Sequence, residues 1–393
     1  MRDWRKEGLH AEKAKILLVF VVFLTICNYF LLSMILSMLL ASILVIFIFS
    51  HFYHKFLVVS LANKRKTIRI FPEETVNISF DIHAKSIVPL YYGRFSFLVS
   101  NHLKVENMKS LVEKKDSTIY SFDISSGKSS YPYTVKALKR GRVIFRQMEV
   151  HLFDPLFLGE STYIYNPFYK TEIVVLPKMK PVSGMENLLS KVHGNNPSLY
   201  SFFQEPILIS GVRDYTPDDA FQQIHWKASA RTGLLQTKIL EKTFQQKWTF
   251  LVNVGEEGQG TTYSHYFSEQ LEDRISHIAF LLQLAEKQGI EFEMYINIVA
   301  RNPHRLVYLE EGSGKEHLIK GLDLLARIDH LSPLVKVNRL IGSAESSLRR
   351  STGVILCGIS KEEVLQTLSD RYILQLPMFE LHSTEAGGAV QRC

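Results

Sequence analysis

Apolar positions along the chain fall into three regimes. From Ile16 to Phe49 run 34 residues without a charge, a Pro or a Gly, and the clearly polar members are only Thr25, Asn28, Ser33, Ser37 and Ser42. From about Phe71 to Pro177 the period is two. Val76, Ile78, Phe80 and Ile82 alternate with polar residues, Phe95, Phe97 and Val99 repeat the spacing with Leu98 breaking the polar face, and Met148, Val150 and Leu152 show it again before a continuous Ile173–Leu176 run. Such alternation, with Gly and Pro between the runs, predicts an antiparallel, sandwich-like domain. After about Thr249 strands and helices take turns. Thr249–Val254 reads as a strand, Leu271–Gln288 as a helix with Ile275, Ile278, Leu281, Leu282 and Ala285 on one face, and Phe292–Val299 as a strand. Leu318–Ile328 reads as a helix, Gly353–Ile359 as a buried strand, Lys361–Ser369 as a helix and Tyr372–Leu376 as a last strand. That order predicts a doubly wound α/β domain.

One helix over residues 16–49 would be about 50 Å long at roughly 1.5 Å per residue, against a hydrocarbon core of about 30 Å. Two short spans with a turn near Asn28–Ser33 fit better. A cleaved signal peptide has an apolar run of only about 7–15 residues and needs a small-residue cleavage site. The chain's charge supports the membrane reading. Its formal net charge is +7, and residues 1–70 hold ten basic against three acidic side chains, so the rest sums to zero. The basic excess flanks the apolar run on both sides, which places both ends of a hairpin in the cytoplasm and argues against nucleic acid as a partner. The Lys64-Arg65-Lys66 cluster reads as a stop-transfer flank, with anionic headgroups as the other reading.

The expected organisation is an N-terminal tail and transmembrane hairpin over 1–62, a β-rich sandwich-like domain over 63–181, and a linker with a distinctive motif over 182–248. An α/β domain over 249–382 and a flexible tail over 383–393 complete it. Cys27, Cys357 and Cys393 have no disulfide or metal spacing, which fits a reducing compartment.

The distinctive stretch begins Gly211-Val212-Arg213-Asp214-Tyr215-Thr216-Pro217-Asp218-Asp219 and continues Ile224-His225-Trp226-Lys227-Ala228-Ser229-Ala230-Arg231-Thr232-Gly233-Leu234-Leu235. It resembles the signature of the bacterial family called domain of unknown function 58, with Asp218 where that family has Gly. The resemblance extends over most of the chain and takes in Lys139-Arg140-Gly141-Arg142 and Asp154-Pro155-Leu156-Phe157. It implies a membrane-anchored protein with a von Willebrand factor A-like C-terminal domain, and a MoxR-type AAA+ ATPase as partner. Domains of that kind often hold a divalent cation through D-x-S-x-S after the first strand, because a hard cation takes oxygen ligands. The corresponding stretch here runs from Asn253 through Gly255 to Glu257 and lacks both serines and the first Asp. No metal is expected at that position, and no cofactor elsewhere.

In the motif Arg213 or Arg231 is expected to pair with Asp219, since a buried charge without a partner is costly. Trp226 and Ile224 are expected to pack beneath that network, and His225 to be a hydrogen-bonded scaffold residue. Together with Tyr215, Pro217 and Ala230 these residues either close the structure locally or present an interaction site. There is no G-x-x-x-x-G-K-[S/T], H-E-x-x-H or G-x-S-x-G, and Gly312-Ser313-Gly314-Lys315 reads as a polar turn. The leading expectation is a non-enzymatic, membrane-anchored cytoplasmic interaction adaptor. The alternative is an envelope-associated enzyme using Arg213–Arg231 as its active site.

Overall fold

The computed structural model describes residues 4–10, 16, 19–26, 34–85, 88, 91–184, 209–240, 246–255, 270–300, 306–329, 332–368, 376–384 and 387–392. Its helices are α1 (Met34–Phe56), α2 (Trp226–Thr232), α3 (Leu271–Lys287), α4 (Lys315–Ala326), α5 (Val337–Leu348) and α6 (Lys361–Thr367). Residues 19–26 are also helical. The chain divides into two compact units, Met1–Lys178 with Leu322–Asp329, and Met179–Gly321 with His330–Cys393.

In the first unit a six-stranded sheet runs in the order Trp4–His10, Glu160–Tyr165, Arg146–Phe153, Tyr92–Ser100, Ser117–Ser125, Lys109–Glu113. A four-stranded sheet contains Val58–Leu61, Thr75–Lys85, Ser130–Ala137 and Leu103–Val105, and a smaller one joins Gly141–Ile144, Glu172–Val175 and Thr67–Ile70. The period-two pattern explains the core, because alternate side chains of each strand point to one face. Phe80 of the four-stranded sheet lies 5.1 and 5.0 Å from the rings of Phe95 and Phe97 on the six-stranded sheet, and 4.8 Å from Tyr133. Aromatic pairs at such spacings add to the area they bury.

Two features of this unit depart from the expected boundaries. The N-terminal tail is not a tail, since Trp4–His10 is the edge strand of the six-stranded sheet, with Trp4 opposite Tyr165 and His10 opposite Glu160. The long helix also outruns the expected apolar segment by two turns, and its last part is seated on the β-domain. Ser50, Tyr53, His54 and the following Leu57 are all buried, a spacing of i, i+3, i+4 and i+7 that marks one helix face. Earlier in α1, Met34, Ile35, Met38, Leu39 and Val45 are more than half exposed. Among the described residues α1 is the one helix long and apolar enough to cross a membrane, over Ser37–Phe56. The turn expected near Asn28–Ser33 lies outside the described residues.

Leu322–Asp329 belongs to this unit through charge. Arg140 donates to the carbonyls of Leu325 and, at 3.0 Å, Ile328. Glu172 takes Arg142 and Arg327 at 2.6 Å each, and Arg69 meets Asp323 at 2.9 Å.

The second unit is built on a seven-stranded sheet ordered Val182–Ser183, Gly387–Arg392, Met378–Thr384, Gly353–Cys357, Lys247–Val252, Glu291–Val299, Leu306–Gly312. Its four central strands are parallel. Both faces of such a sheet are covered, so its strands read as unbroken apolar runs. Leu251 packs with Leu340, Ile341, Ala344 and Leu348 of α5. Phe250, of opposite parity, meets Phe292 at 6.4 Å, on the side where α3 contributes Leu282.

Three elements differ from the sequence expectation here. Most of the expected strand Tyr372–Leu376 lies outside the described residues, Leu376 is a bend, and the strand found runs from Met378 to Thr384. Within the expected flexible tail over 383–393, Ser383 and Thr384 end one strand and Gly387–Arg392 forms another, antiparallel to Met378–Thr384. Gly388 is there because a Cβ would stand 2.7 Å from the His277 ring. The helix α5 was not expected, because Gly342 and three serines weaken its helical signal. Residues 185–208, most of the linker stretch ahead of the motif, are outside the description.

Candidate functional site

The signature motif folds as a hairpin with a helix set into its connection. Ile209–Asp214 pairs antiparallel with Gln236–Leu240, placing Arg213 opposite Thr237 and Asp214 opposite Gln236. Between the strands come a 3-10 turn at Phe221–Gln223 and then α2. Asp219 ties these parts together. Its carboxylate accepts both guanidinium ends of Arg213, one at 2.9 Å, the backbone N–H and hydroxyl of Thr216 at 2.9 Å, and the Thr237 hydroxyl at 3.1 Å. The Arg213 guanidinium, followed by the Thr216 N–H, holds the Asp219 carboxyl well below the usual carboxylate range. A carboxylate gripped by a two-pronged Arg is a directional contact as well as a charge pair.

His225 caps α2, its Nδ1 accepting from the Ala228 N–H at 3.0 Å, one of the orphan donors of a helix start. Tyr215 donates its backbone N–H to the Leu235 carbonyl at 2.9 Å. Asp218 does not adopt the left-handed backbone region, so this turn forms without the glycine of the family pattern. Pro217, Ala230 and Arg231 are exposed, and Arg231 stands in the last turn of α2, away from the carboxylate that Arg213 occupies.

One expectation about the motif is overturned. Ile224 is buried to 1% exposure, but Trp226 is 58% exposed and packs edge-on against Phe221, itself 66% exposed, with ring centroids 5.5 Å apart. Trp226 is the first residue of α2 and leaves the hairpin on its outer side, so it does not lie beneath the charge network. Leu234 and Leu235 are exposed as well.

The position where a cation was considered is filled by amides. Asn253 follows the central strand Lys247–Val252 and Gly358 follows Gly353–Cys357, the reversal point of the strand order where α/β sheets commonly bind ligands. Asn253 Nδ2 donates to the Gly358 carbonyl at 2.9 Å, and its Oδ1 accepts from Gly255 N–H at 3.0 Å and Asn297 Nδ2 at 2.6 Å. Asn297 Oδ1 accepts from Val254 N–H at 2.9 Å, and Arg274 donates to the Asn253 carbonyl at 3.4 Å. The side-chain oxygens of Asn253 and Asn297 are thus engaged, and the Arg274 guanidinium beside them adds positive charge. Glu257 lies outside the described residues. Among the described residues no group of three His, Cys, Asp or Glu side chains could hold a metal.

A second polar cluster escapes sequence reasoning. Asp154, in the Asp154-Pro155 turn, accepts Ser50 Oγ of α1 and the N–H groups of Leu156, Leu158 and Gly159 at 2.9–3.0 Å. His54 Nε2 stands 3.5 Å from the same carboxylate, and its Nδ1 is 2.8 Å from Ser161 Oγ. Burial alone would raise the Asp154 carboxyl, but hydrogen bonds from His54, Ser50 and the Leu158 N–H bring it to about 2. The order Ser161, His54, Asp154 is that of a nucleophile, a base and its orienting acid. All three are buried to 2% exposure or less, so no substrate reaches them. The cluster is a clamp between α1 and the β-domain. A Cβ on Gly159 would meet His54 Nε2 at 2.9 Å, so glycine keeps that clamp closed. The only sequence signal for it is the Asp-Pro turn.

No protein-family model matches the chain, and no curated protein matches it. Among solved structures, a non-cellulosomal cohesin from the hyperthermophilic archaeon Archaeoglobus fulgidus is similar over 35% of this chain and 99% of its own, at 11% identity and a TM-score of 0.19. A chain of the CaDoc0917–CaCohA2 complex is similar over 30% of this chain and 99% of its own, at 11% identity and a TM-score of 0.16. Likeness at those scores carries no argument about fold or function.

Proposed function

We propose that the protein is a membrane-anchored cytoplasmic adaptor, fixed in the bilayer by its apolar N-terminal segment and engaging a protein partner through the signature hairpin. The exposed Trp226–Phe221 pair carries this reading. Large exposed apolar patches mark interaction surfaces, and buried aromatic anchors dominate interface energetics. The polar groups behind the pair are occupied in holding the hairpin. Asp219 is taken by Arg213, Thr216 and Thr237, and His225 Nδ1 by α2. An enzyme acting through Arg213–Arg231 would instead need a base with room to accept a proton.

Membrane anchoring rests on the apolar side chains exposed along the first part of α1, a surface that water does not favour. Residues 34–49 make about 24 Å of helix at roughly 1.5 Å per residue, slightly short of the bilayer core and within the range that thinning or snorkelling accommodates. With the apolar stretch that begins at Ile16 as a second span, a two-pass hairpin leaves both units in the cytoplasm. The resemblance to the domain-of-unknown-function 58 family makes a MoxR-type AAA+ ATPase the leading partner. Co-purification from solubilised membranes tests this. The wild-type chain recovers the ATPase, and Trp226→Ala lowers recovery by about 30-fold, the equivalent of a 2 kcal/mol hot spot. Equal recovery by both chains, or none by the wild type, overturns the reading.

A further inference from the structure

The chemistry of the segment that docks on the hairpin can be read from charge. Residues 209–240 carry four basic side chains, Arg213, Lys227, Arg231 and Lys238, and three acidic ones, Asp214, Asp218 and Asp219. Asp214, which accepts from Gln236 Nε2, and the exposed Asp218 keep their charge, but Asp219 and Arg213 are spent on each other. The cations of α2 are not. Lys227 and Arg231 sit at i and i+4, both exposed, and neither has an ion-pair partner among the described residues. Like charges at that spacing repel within a helix, so the arrangement costs the free protein and is relieved when an anion arrives.

The exposed residues of α2 are Trp226, Lys227, Ala230, Arg231 and Thr232. Trp226 and Ala230 are one turn apart on α2, so the small alanine stands beside the indole on one stripe, and Lys227 and Arg231 form the adjacent stripe.

We infer that this face takes an acidic peptide segment carrying an apolar or aromatic anchor, with the anchor against Trp226 and carboxylates on Lys227 and Arg231. The inference rests on the adaptor reading and specifies its partner's docking segment. The two cations are about 5–6 Å apart at their Cβ atoms, a reach that carboxylates two residues apart on an extended strand can match, at roughly 3.3 Å per residue. An anionic membrane surface fits less well. Lipid recognition of this kind uses clusters of about 4–8 basic residues, whereas α2 offers two, with Asp218 nearby in sequence.

The test uses the full chain in uncharged detergent and three probes. One is a labelled peptide of Glu and Asp around a central Leu-Phe pair, one is its counterpart with Lys for every acid, and one is vesicles of phosphatidylcholine with phosphatidylglycerol. The acidic peptide is expected to bind at least about ten-fold more tightly than the basic one. The double variant Lys227→Glu with Arg231→Glu reverses that preference, and Trp226→Ala weakens both. Reversal shows that the variant is folded and that the two charges set the choice. Equal binding of both peptides, a preference that does not reverse, capture by the vesicles alone, or self-association that disappears with Trp226→Ala each overturns the inference. An ATPase recovered through Trp226 by a chain that ignores the peptides would sink the peptide chemistry and leave the adaptor reading standing. Peptide binding without any recovered ATPase would do the opposite.

Discussion

His54 Nδ1, near the end of the helix that carries the apolar segment, stands 2.8 Å from Ser161 Oγ in the second strand of the six-stranded sheet, although 107 residues separate them in the chain. Through this contact, and through Ser50 and Asp154 beside it, the last turns of α1 and the sandwich are one body. A force applied along α1 therefore reaches the β-domain through these buried contacts.

Removing the centre of that clamp has a large predicted cost. Asp154→Ala leaves Ser50 and three backbone N–H groups without their acceptor in a buried place and removes the carboxylate 3.5 Å from His54 Nε2. The expected loss is about 3 kcal/mol, from unsatisfied groups at roughly 1–3 kcal/mol each with partial relaxation. Thermal unfolding of the detergent-solubilised chain measures it, and an unchanged midpoint would show that the cluster contributes nothing.

The same carboxylate gives a pH dependence of definite sign. Asp154 is lowered to about 2 from an ordinary 3.8. Glu172 is lowered to about 2 from 4.5, burial being outweighed by Arg327 and Arg142. A depressed folded-state value contributes stability that is fully present above the unfolded-state value and is lost as pH falls through the folded one. Stability of the first unit should therefore be flat above about pH 5 and fall between about pH 4.5 and 2. Asp154→Asn should flatten that fall, as followed by denaturant titration at a series of acidic pH values.

Two neighbouring residues of the signature should behave oppositely. Ile224→Ala opens a cavity at a 1% exposed position and should cost about 2–4 kcal/mol. Trp226→Ala removes a largely exposed side chain and should change stability by less than about 0.5 kcal/mol, while lowering partner recovery about 30-fold. Comparable destabilisation by both would mean that Trp226 is a packing residue after all.

Cys357 should be silent. It is 1% exposed on a central strand, and burial pushes its thiol up to about 12, where the reactive thiolate is scarce at neutral pH. In a chain with Cys27→Ser and Cys393→Ser, a thiol reagent should label Cys357 only after denaturant is added. Prompt labelling of the folded chain would contradict the buried placement.

Much of the architecture follows from local pattern. Alternation marked Phe80 and Ile82 as interior, and the face Ile275, Ile278, Leu282 marked α3, because burial of one face is a property of periodicity. What failed to show depended on distant partners. Trp4–His10 is a short, charged stretch that becomes a strand only because Glu160–Tyr165 lies beside it. Gly387–Arg392 reads as a frayed end until Met378–Thr384 pairs with it. Within the motif an arginine partner for Asp219 was legible from charge and spacing, but not that it would be Arg213 instead of Arg231. The outward turn of Trp226 was not, since an indole beside a charge network has no sequence feature that chooses its side. The Ser50–Asp154 contact joins residues 104 apart, and the sequence carries nothing of it beyond an Asp-Pro turn.

The most direct measurement places a benzophenone side chain at position 230, one turn from Trp226, of the full chain in native membranes and irradiates them. The predicted result is one light-dependent conjugate with a cytoplasmic AAA+ ATPase, lost when Lys227→Glu and Arg231→Glu are added. Conjugates with lipid alone, or with proteins of the opposite side of the membrane, would contradict both the docking face and the cytoplasmic placement.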